Sequence, residues 1–417
     1  MSQPPNSSEK SEIGTQTNSP YKHFKILSYN LFMRPLVKTN ASDYKDARLE
    51  ELMIEWKSRK IDILCLQELF STASSRSSRV LDEFCCKTNS RIVMSNDDES
   101  RHDYFHYVHL QQDYWKLKPI DSGLFILSRV PILERDAFIF SQGSDIDGWT
   151  TKGVIYALVD LSEPISKKTT NHQEKIKTNK CLIFNTHTQA NYDLTNVNYW
   201  KIQQSQIIEL ALFVSEKMKQ HPGVPVLLCG DFNVDARNRQ EWYEWMVKTM
   251  NDIISDENVR IEMEKDYPLI RAQTVGLDQT IENNHHEYTV NNQEHAIIDN
   301  NDSSCHTLVH DIILEHYKHH PITFGDVIID EETHQEKPRE IHLSHPHTLC
   351  SKQRLDYIFH IHKKLPKTCT TITHRLECSK CHIEPFFRIP NPVMPCTQLS
   401  DHYSVYAEFN VFSDDDS

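Results

Sequence analysis

The chain is 417 residues long and 38% hydrophobic, with 45 Lys and Arg against 59 Asp and Glu, a formal net charge of −14. The acid excess disfavours non-specific nucleic-acid binding, which depends on clustered Lys and Arg, but leaves room for a site made positive by a metal ion. The length suggests about 2–3 domains or one large α/β domain, with a core large enough to need no disulfide staples.

In chain order, residues 1–20 are Ser/Asn/Pro-rich, contain no apolar signal-peptide core, and are expected to form a disordered tail. A strand is expected at FKILSYNLF (24–32) and a helix at DARLEELMIEWKSRK (46–60), where Leu49, Leu52, Met53 and Trp56 share a face. A strand at DILCLQELF (62–70) and a helix around SSRVLDEFCCKT (77–88) follow. Further strands are expected at SGLFILSR, GVIYALVDL and CLIFNTHTQ, with a polar linker at 162–180. Next come a long helix from about Val197 to Lys219, a buried strand in VPVLLCGDFNVDA (224–236), and a helix at NRQEWYEWMVKTM. The Asn/His/Glu-rich stretch 275–310 reads as an inserted surface loop. Strands at RLDYIFHI (354–361) and HYSVYAEFNVF (402–412) precede an acidic tail at 413–417. A single catalytic domain is expected over 21–412.

Eleven scattered cysteines, including the adjacent pair Cys85-Cys86, read as reduced thiols of an intracellular protein. No stretch approaches 18 consecutive apolar residues, so no transmembrane helix is expected and any membrane contact is peripheral.

The apolar strands are interrupted by polar residues at their ends: Asn30, Glu68, His187, Asp231 with Asn233, Asp356, and Asp401-His402. On extended backbone Asp231 and Asn233 would face the same way. Alone, each is an ordinary turn former or satisfied polar group; together they have chemistry suited to a metal and a phosphate. Glu68 with Asp401 or Asp231 would offer hard oxygen ligands to Mg²⁺, with Mn²⁺ as an alternative ion. His402 would act as general base, its tautomer held by Asp356. His187, Asn30 and Asn233 would donate to phosphoryl oxygens that gain charge. That set describes metal-assisted hydrolysis of a phosphate ester.

The motifs SYNLF, LCLQELF, FNTHTQA, CGDFNVDA, QRLDYIF and LSDHYSV, in that order over about 24 to 412, resemble the endonuclease/exonuclease/phosphatase superfamily. The resemblance implies a four-layer α/β/β/α sandwich of two packed mixed sheets flanked by helices, with the site at one edge of both sheets. Within the superfamily the chain most resembles the neutral sphingomyelinases, through SGLFILSRVPI, through Asp147 to Lys152-Gly153 as a D-x4-K-G loop, and through His187 and Gln189 in HTQA. This implies catalytic roles for Asp147 and Lys152, with Gly148 and Gly153 as expected hinges. The implied reaction is hydrolysis of sphingomyelin or a related lipid to ceramide and phosphocholine. The same-fold alternatives are a nuclease or a phosphoinositide phosphatase, and the different-class alternative is a non-catalytic phosphate-binding scaffold.

Residues Phe386, Phe387, Ile389, Val393 and Met394 form a proline-broken apolar cluster just before Asp401-His402. Secreted sphingomyelinases place a membrane-touching hairpin here, so the resemblance makes Phe386 and Phe387 candidate lipid anchors, against the alternative that they pack on the body. Cys378-x2-Cys381, with Cys369, His374, His382 and Cys396 nearby, leaves a zinc site open. The aromatic-rich stretch 103–120 suits either a surface strand pair or a cation–π cage for a quaternary ammonium group. A cytoplasmic monomer that meets a lipid surface peripherally, and not nucleic acid, is expected.

Overall fold

Segments such as ILCLQ and VLLCGD are apolar on both faces, so each must be covered on both sides. In the computed structural model of the chain they are inner strands of two sheets packed face to face. The structure describes residues 23–34, 43–85, 106–110, 118–162, 179–193, 196–267, 269, 274–277, 307–363 and 374–413.

The first half contains β1 His23–Asn30, α1 Lys45–Arg59, β2 Ile63–Gln67, α2 Arg76–Phe84, β3 His106–Leu110, β4 Phe125–Ser128, β5 Ile132–Ile139, α3 Asp145–Gly148, β6 Gly153–Asp160 and β7 Lys180–His187. The second contains α4 Val197–Gln220, β8 Val226–Asp231, α5 Gln240–Ser255, α6 Glu257–Asp266, β9 Thr274–Leu277, β10 Thr307–Asp311 and α7 Ile312–Tyr317. It closes with β11 Val327–Ile329, β12 Glu336–Pro338, β13 Asp356–Lys363, β14 His374–Glu384 and β15 Ser404–Ser413. One sheet has seven strands in the order β14-β15-β1-β2-β4-β3-β9 and the other six in the order β10-β13-β8-β7-β6-β5. Both are mixed: β1–β2 and β7–β8 are parallel, and the other pairs within them are antiparallel.

Alternation along β8 shows why four layers form. Leu227 and Cys229 point between the sheets, against the cluster that includes Ile26, Ile63 and Ile126. Val226 and Leu228 point the other way, onto Phe213 of α4 and Met246 and Met250 of α5. The outer face of the seven-stranded sheet buries Leu27, Tyr29 and Leu64 under Leu49, Leu52 and Trp56 of α1 and Phe84 of α2. Full burial of such side chains contributes roughly 1.5–3 kcal/mol each. The expected α/β/β/α sandwich is thus the observed one.

Several elements were not expected from sequence: β5, α6, β9, β10, α7, the β11–β12 pair and β14. β5, β9, β10 and β14 are all sheet edges. An edge strand needs no continuous apolar run and often carries charge, as in ILERDAFI and HRLECSKCHIE. The insertion expected at 275–310 is correspondingly trimmed: its two ends are strands on different sheets, and 278–306 lies outside the described residues. The expected tails at 1–20 and 414–417 and most of the 162–180 linker also lie outside them. In the aromatic stretch 103–120, His106–Leu110 is a strand paired with β4 and β9, and 111–117 lies outside the described residues.

Arg48 on α1 is fully buried, and among the described residues no carboxylate forms a salt bridge with it. Its guanidinium instead donates to the carbonyl oxygens of Asp43 at 2.8 Å, Leu31 at 2.9 Å, Phe32 at 2.8 Å and Leu399 at 2.7 Å. It therefore ties the loop after Asn30 to the loop before Asp401. Arg48→Met should lower stability by at least ~3 kcal/mol, because each buried acceptor left unsatisfied costs about 1–3 kcal/mol. Denaturant unfolding measures this, and an unchanged midpoint would show that the four carbonyls find other donors.

Candidate active site

The register of the six-stranded sheet brings three polar strand ends side by side. Asp231 ends β8 opposite Asp356 on β13 and beside His187 on β7. From the other sheet, Asn30 ends β1 beside Gln67, and Glu68 follows directly. Gly230 lets the strands close up here, since a Cβ would fall 2.2 Å from the Thr186 carbonyl oxygen. Glu68 takes a left-handed conformation, φ 57°, and a Cβ on the facing Gly123 would be 3.0 Å from its Cα.

Asn30 Nδ2 donates to Asp231 Oδ2 at 2.9 Å and to Glu68 Oε1 at 3.3 Å, joining the two sheets. Both amide hydrogens are committed, which corrects the expectation that Asn30 donates to a phosphate: it positions two carboxylates. Asn233 is also reassigned. β8 ends at Asp231 and the chain turns, with Asn233 at φ 49°, so the two residues do not continue one strand face. Asn233 N–H donates to Asp231 Oδ1 at 2.9 Å, and its side-chain amide donates to the Thr188 carbonyl at 3.1 Å.

His402 Nδ1 lies 2.9 Å from Asp356 Oδ2, and Nε2 lies 3.8 Å from Asp231 Oδ2. The ring is only 5% exposed, and the turn carrying it is tied to β1 by Ser400 Oγ, which donates to the Asn30 carbonyl at 2.6 Å. Burial opposes a charge on the ring, but Asp356, Asp231 and Asp401 outweigh it and raise His402 to about 10. Burial pushes Asp231 up to about 7, opposed by His402 and reinforced by Asp356. Burial also pushes Asp401 up to about 6, with His402 opposing and Glu68 adding to the rise. Burial of the two aspartates, and the carboxylates around the histidine, thus push all three groups of this cluster upward together.

Asp147 and Lys152 are both buried and paired, with Lys152 Nζ 3.2 Å from Asp147 Oδ2. Lys152 also donates to the Thr188 carbonyl at 2.6 Å and lies 3.1 Å from His187 Nε2. An ammonium only donates, so His187 Nε2 accepts and the ring proton sits on Nδ1. Burial first, then Lys152, holds His187 well below its ordinary range and keeps the ring neutral. Asp147 Oδ2 further accepts from Gln189 Nε2 at 3.0 Å and Ala190 N–H at 2.8 Å. The expected hinge at Gly153 is not one: it pairs with Ile139 in β6, and a Cβ would fall 2.1 Å from the Phe138 carbonyl oxygen.

Asp231, Asp356 and His402 present donor atoms within 4.8 Å of one another. Glu68 Oε2 and Asp356 Oδ1 are buried acceptors without a hydrogen-bond donor. Buried carboxylates without a donor among the described residues call for a cation, and carboxylate oxygens beside one imidazole suit a divalent ion. Of the expected ligands Glu68, Asp401 and Asp231, that group contains Asp231, and the Asn30 amide links Glu68 to it. Arg34, absent from the sequence reading, adds a guanidinium 3.7 Å from Glu68 Oε2. Nothing in NLFMRP sets it apart, because it reaches the site through a loop.

Phe386 requires a correction as an anchor. It is 3% exposed and stacks on Tyr29 at 5.3 Å between centroids, because it follows β14 directly into the helix-side core; Met394 is buried there as well. Phe387, Ile389 and Val393 are the exposed residues of this segment, at 53%, 88% and 80%. The zinc option is not assembled among the described residues. A bulge after Cys378 turns it and Cys381 toward the inter-sheet core, whereas His382 packs on Tyr406 and Cys396 lies in the helix-side core. Cys369 lies outside the described residues.

Comparison with known proteins shows the family. Residues 27–360 match the endonuclease/exonuclease/phosphatase family. A sphingomyelinase of Dictyostelium discoideum is 23% identical over 415 residues, covering 95% of this chain and 74% of that one. Sphingomyelinase C of Bacillus cereus is 24% identical over 258 residues, covering 58% of this chain and 67% of the relative. Among solved structures, beta toxin from Staphylococcus aureus with bound magnesium ions aligns over 92% of this chain and 98% of its own, at 18% identity and a TM-score of 0.47. TDP2 of D. rerio with single-strand DNA product aligns over 93% and 99%, at 14% identity and a TM-score of 0.44.

Lys152→Ala should lower kcat by ~10²-fold or more, the range for losing a preorganised donor at a charged centre. Divalent-ion affinity, read by calorimetry, should be kept, because Lys152 touches none of Glu68, Asp401 and Asp231. Near-normal turnover would make this lysine a structural ion-pair partner only.

Proposed function

Because the chain belongs to the endonuclease/exonuclease/phosphatase family, we propose that it is a divalent-metal-dependent phosphodiesterase that hydrolyses sphingomyelin, or a closely related phospholipid, to ceramide and phosphocholine. The family match supports a hydrolase acting on phosphodiesters. The two sphingomyelinase relatives support the lipid substrate. The observation that carries the reaction class is the buried Asp356–His402 pair beside Asp231, the three presenting donor atoms within 4.8 Å of one another.

In this reading Asp356 holds the proton on Nδ1 of His402, so that Nε2 faces the reacting water and takes its proton. A bound Mg²⁺ would supply Lewis-acid polarisation of a phosphoryl oxygen. Asn30 orients Glu68 and Asp231, while Lys152 holds His187 in its neutral form with the Nδ1 proton free to donate to the phosphate. Carboxylates engaged by a cation raise a neighbouring imidazole less, which returns His402 toward the range of a working base. Contact with a lipid surface falls to the exposed Phe387, Ile389 and Val393, and to Ile146 and Trp149, exposed on either side of the buried Asp147. No helix among the described residues is long and apolar enough to cross a membrane.

Two experiments test this reading. EDTA should abolish activity and Mg²⁺ restore it, and the His402 ring, followed by NMR, should titrate at lower pH in Mg²⁺ than in EDTA. His402→Ala should reduce kcat by at least ~10²-fold. Full turnover in metal-free buffer, or in a folded His402→Ala variant, would refute the mechanism.

The substrate is tested by offering sphingomyelin vesicles, plasmid DNA and a short-chain soluble analogue to the same protein. Release of phosphocholine with little DNA cleavage is expected. Phe387→Ser with Ile389→Ser should weaken activity on vesicles far more than on the soluble analogue, since roughly 1.5–3 kcal/mol per buried apolar side chain is lost only at the interface. Plasmid nicking without phosphocholine release would overturn the substrate while leaving the metal chemistry in place.

A further inference from the structure

His360 and His362 are two residues apart on β13, so their side chains leave the same face of the strand. His310 on β10 is paired directly with His360, and His362 lies diagonal to it. The three rings form one cluster: His310 and His362 stack at 4.7 Å between centroids, and His360 and His362 are 5.3 Å apart. They sit four and six residues beyond Asp356 on the same strand, roughly 13–20 Å from the active site at 3.3 Å per residue. No step of the proposed reaction uses them.

Their nitrogens are poised for a ligand. Glu315 on α7 accepts from His310 Nδ1. A carboxylate accepts only, so the proton is on Nδ1 and the Nε2 of a neutral ring carries a lone pair. That Nε2, and the Nε2 of His360, are buried without a hydrogen-bond partner among the described residues. Two orphaned ring nitrogens in one cluster are unusual in a protein interior. A carboxylate behind the far nitrogen is the arrangement that fixes the tautomer of metal-binding histidines.

We propose that His310, His360 and His362 form a second metal site, for a divalent transition ion of the Zn²⁺ class, with Glu315 as the positioning residue for His310. Imidazole donors select such ions over Mg²⁺, which prefers the oxygen set of the active site. Three imidazoles on neighbouring strands leave a fourth tetrahedral position for water. The rings stack instead of meeting at one point, so binding requires side-chain rotation, and His362 is the exposed member of the three.

The test is calorimetric titration of the full chain with ZnCl₂ in excess MgCl₂, which occupies the carboxylate site, with a phosphine as reductant. A Zn²⁺-binding event is expected. It should be weakened about 10–100-fold by Glu315→Gln and at least as much by His362→Ala, both at exposed positions, with Mg²⁺-supported turnover unchanged. The Co²⁺-loaded protein should show the absorption of nitrogen ligation without an intense thiolate charge-transfer band. Absence of Zn²⁺ binding, or binding unaltered in both variants, would overturn the proposal. So would its loss in Cys378→Ser while His362→Ala binds normally.

Discussion

A carboxylate buried at the end of a central strand is the constraint on which the rest of the site depends. Asp231 has almost no solvent contact, and a charge there is tolerated only if hydrogen bonds and neighbouring charges compensate its lost hydration. The compensation comes from three directions: the Asn233 N–H across the turn, the Asn30 amide from the opposite sheet, and the His402 ring. Because Asn30 belongs to one sheet and Asp231 to the other, satisfying this single group also aligns the two sheets at the catalytic edge.

The electrostatics divide the site into two histidine environments. His402 stands among three carboxylates and is driven toward its charged form, whereas His187 stands against an ammonium and is held neutral. Burial and neighbouring charge thereby push the two imidazoles in opposite directions. Lys152 belongs to this division, since its ammonium is what faces His187 and its own burial is offset by Asp147 and the Thr188 carbonyl.

The support behind these groups is mostly backbone. Arg48 grips four carbonyls in the loops that flank Asn30 and Asp401, and Ser400 closes the gap between those loops. These bonds tie the loop that carries Asp401 and His402 to the loop after Asn30. The segment Phe387–Val393, by contrast, presents its apolar side chains to solvent while Phe386 and Met394 at its ends pin it to the core. That combination gives an exposed apolar tip on a fixed base.

The sequence by itself determined the inner strands and the main helices, because two-sided apolar runs and helical spacing leave one way to bury each face. It also marked Asn30, Glu68, His187, Asp231, Asp356 and His402 as a group, since polar residues ending buried strands must find partners. It did not reveal the edge strands, whose charged residues mimic loops. Which partners the polar residues find was decided only by tertiary structure. Phe386 and Phe387 are chemically identical neighbours, yet the register of β14 against β15 and the packing on Tyr29 bury one and expose the other. Nothing in the helical pattern of α1 singles out Arg48, and only the crossing of α1 over loops 17 and 351 residues away in the chain makes it a buried clamp. Asn30 changes from phosphate donor to carboxylate holder for the same reason: an amide 201 residues from Asp231 has its hydrogens assigned by sheet packing, which local sequence does not encode.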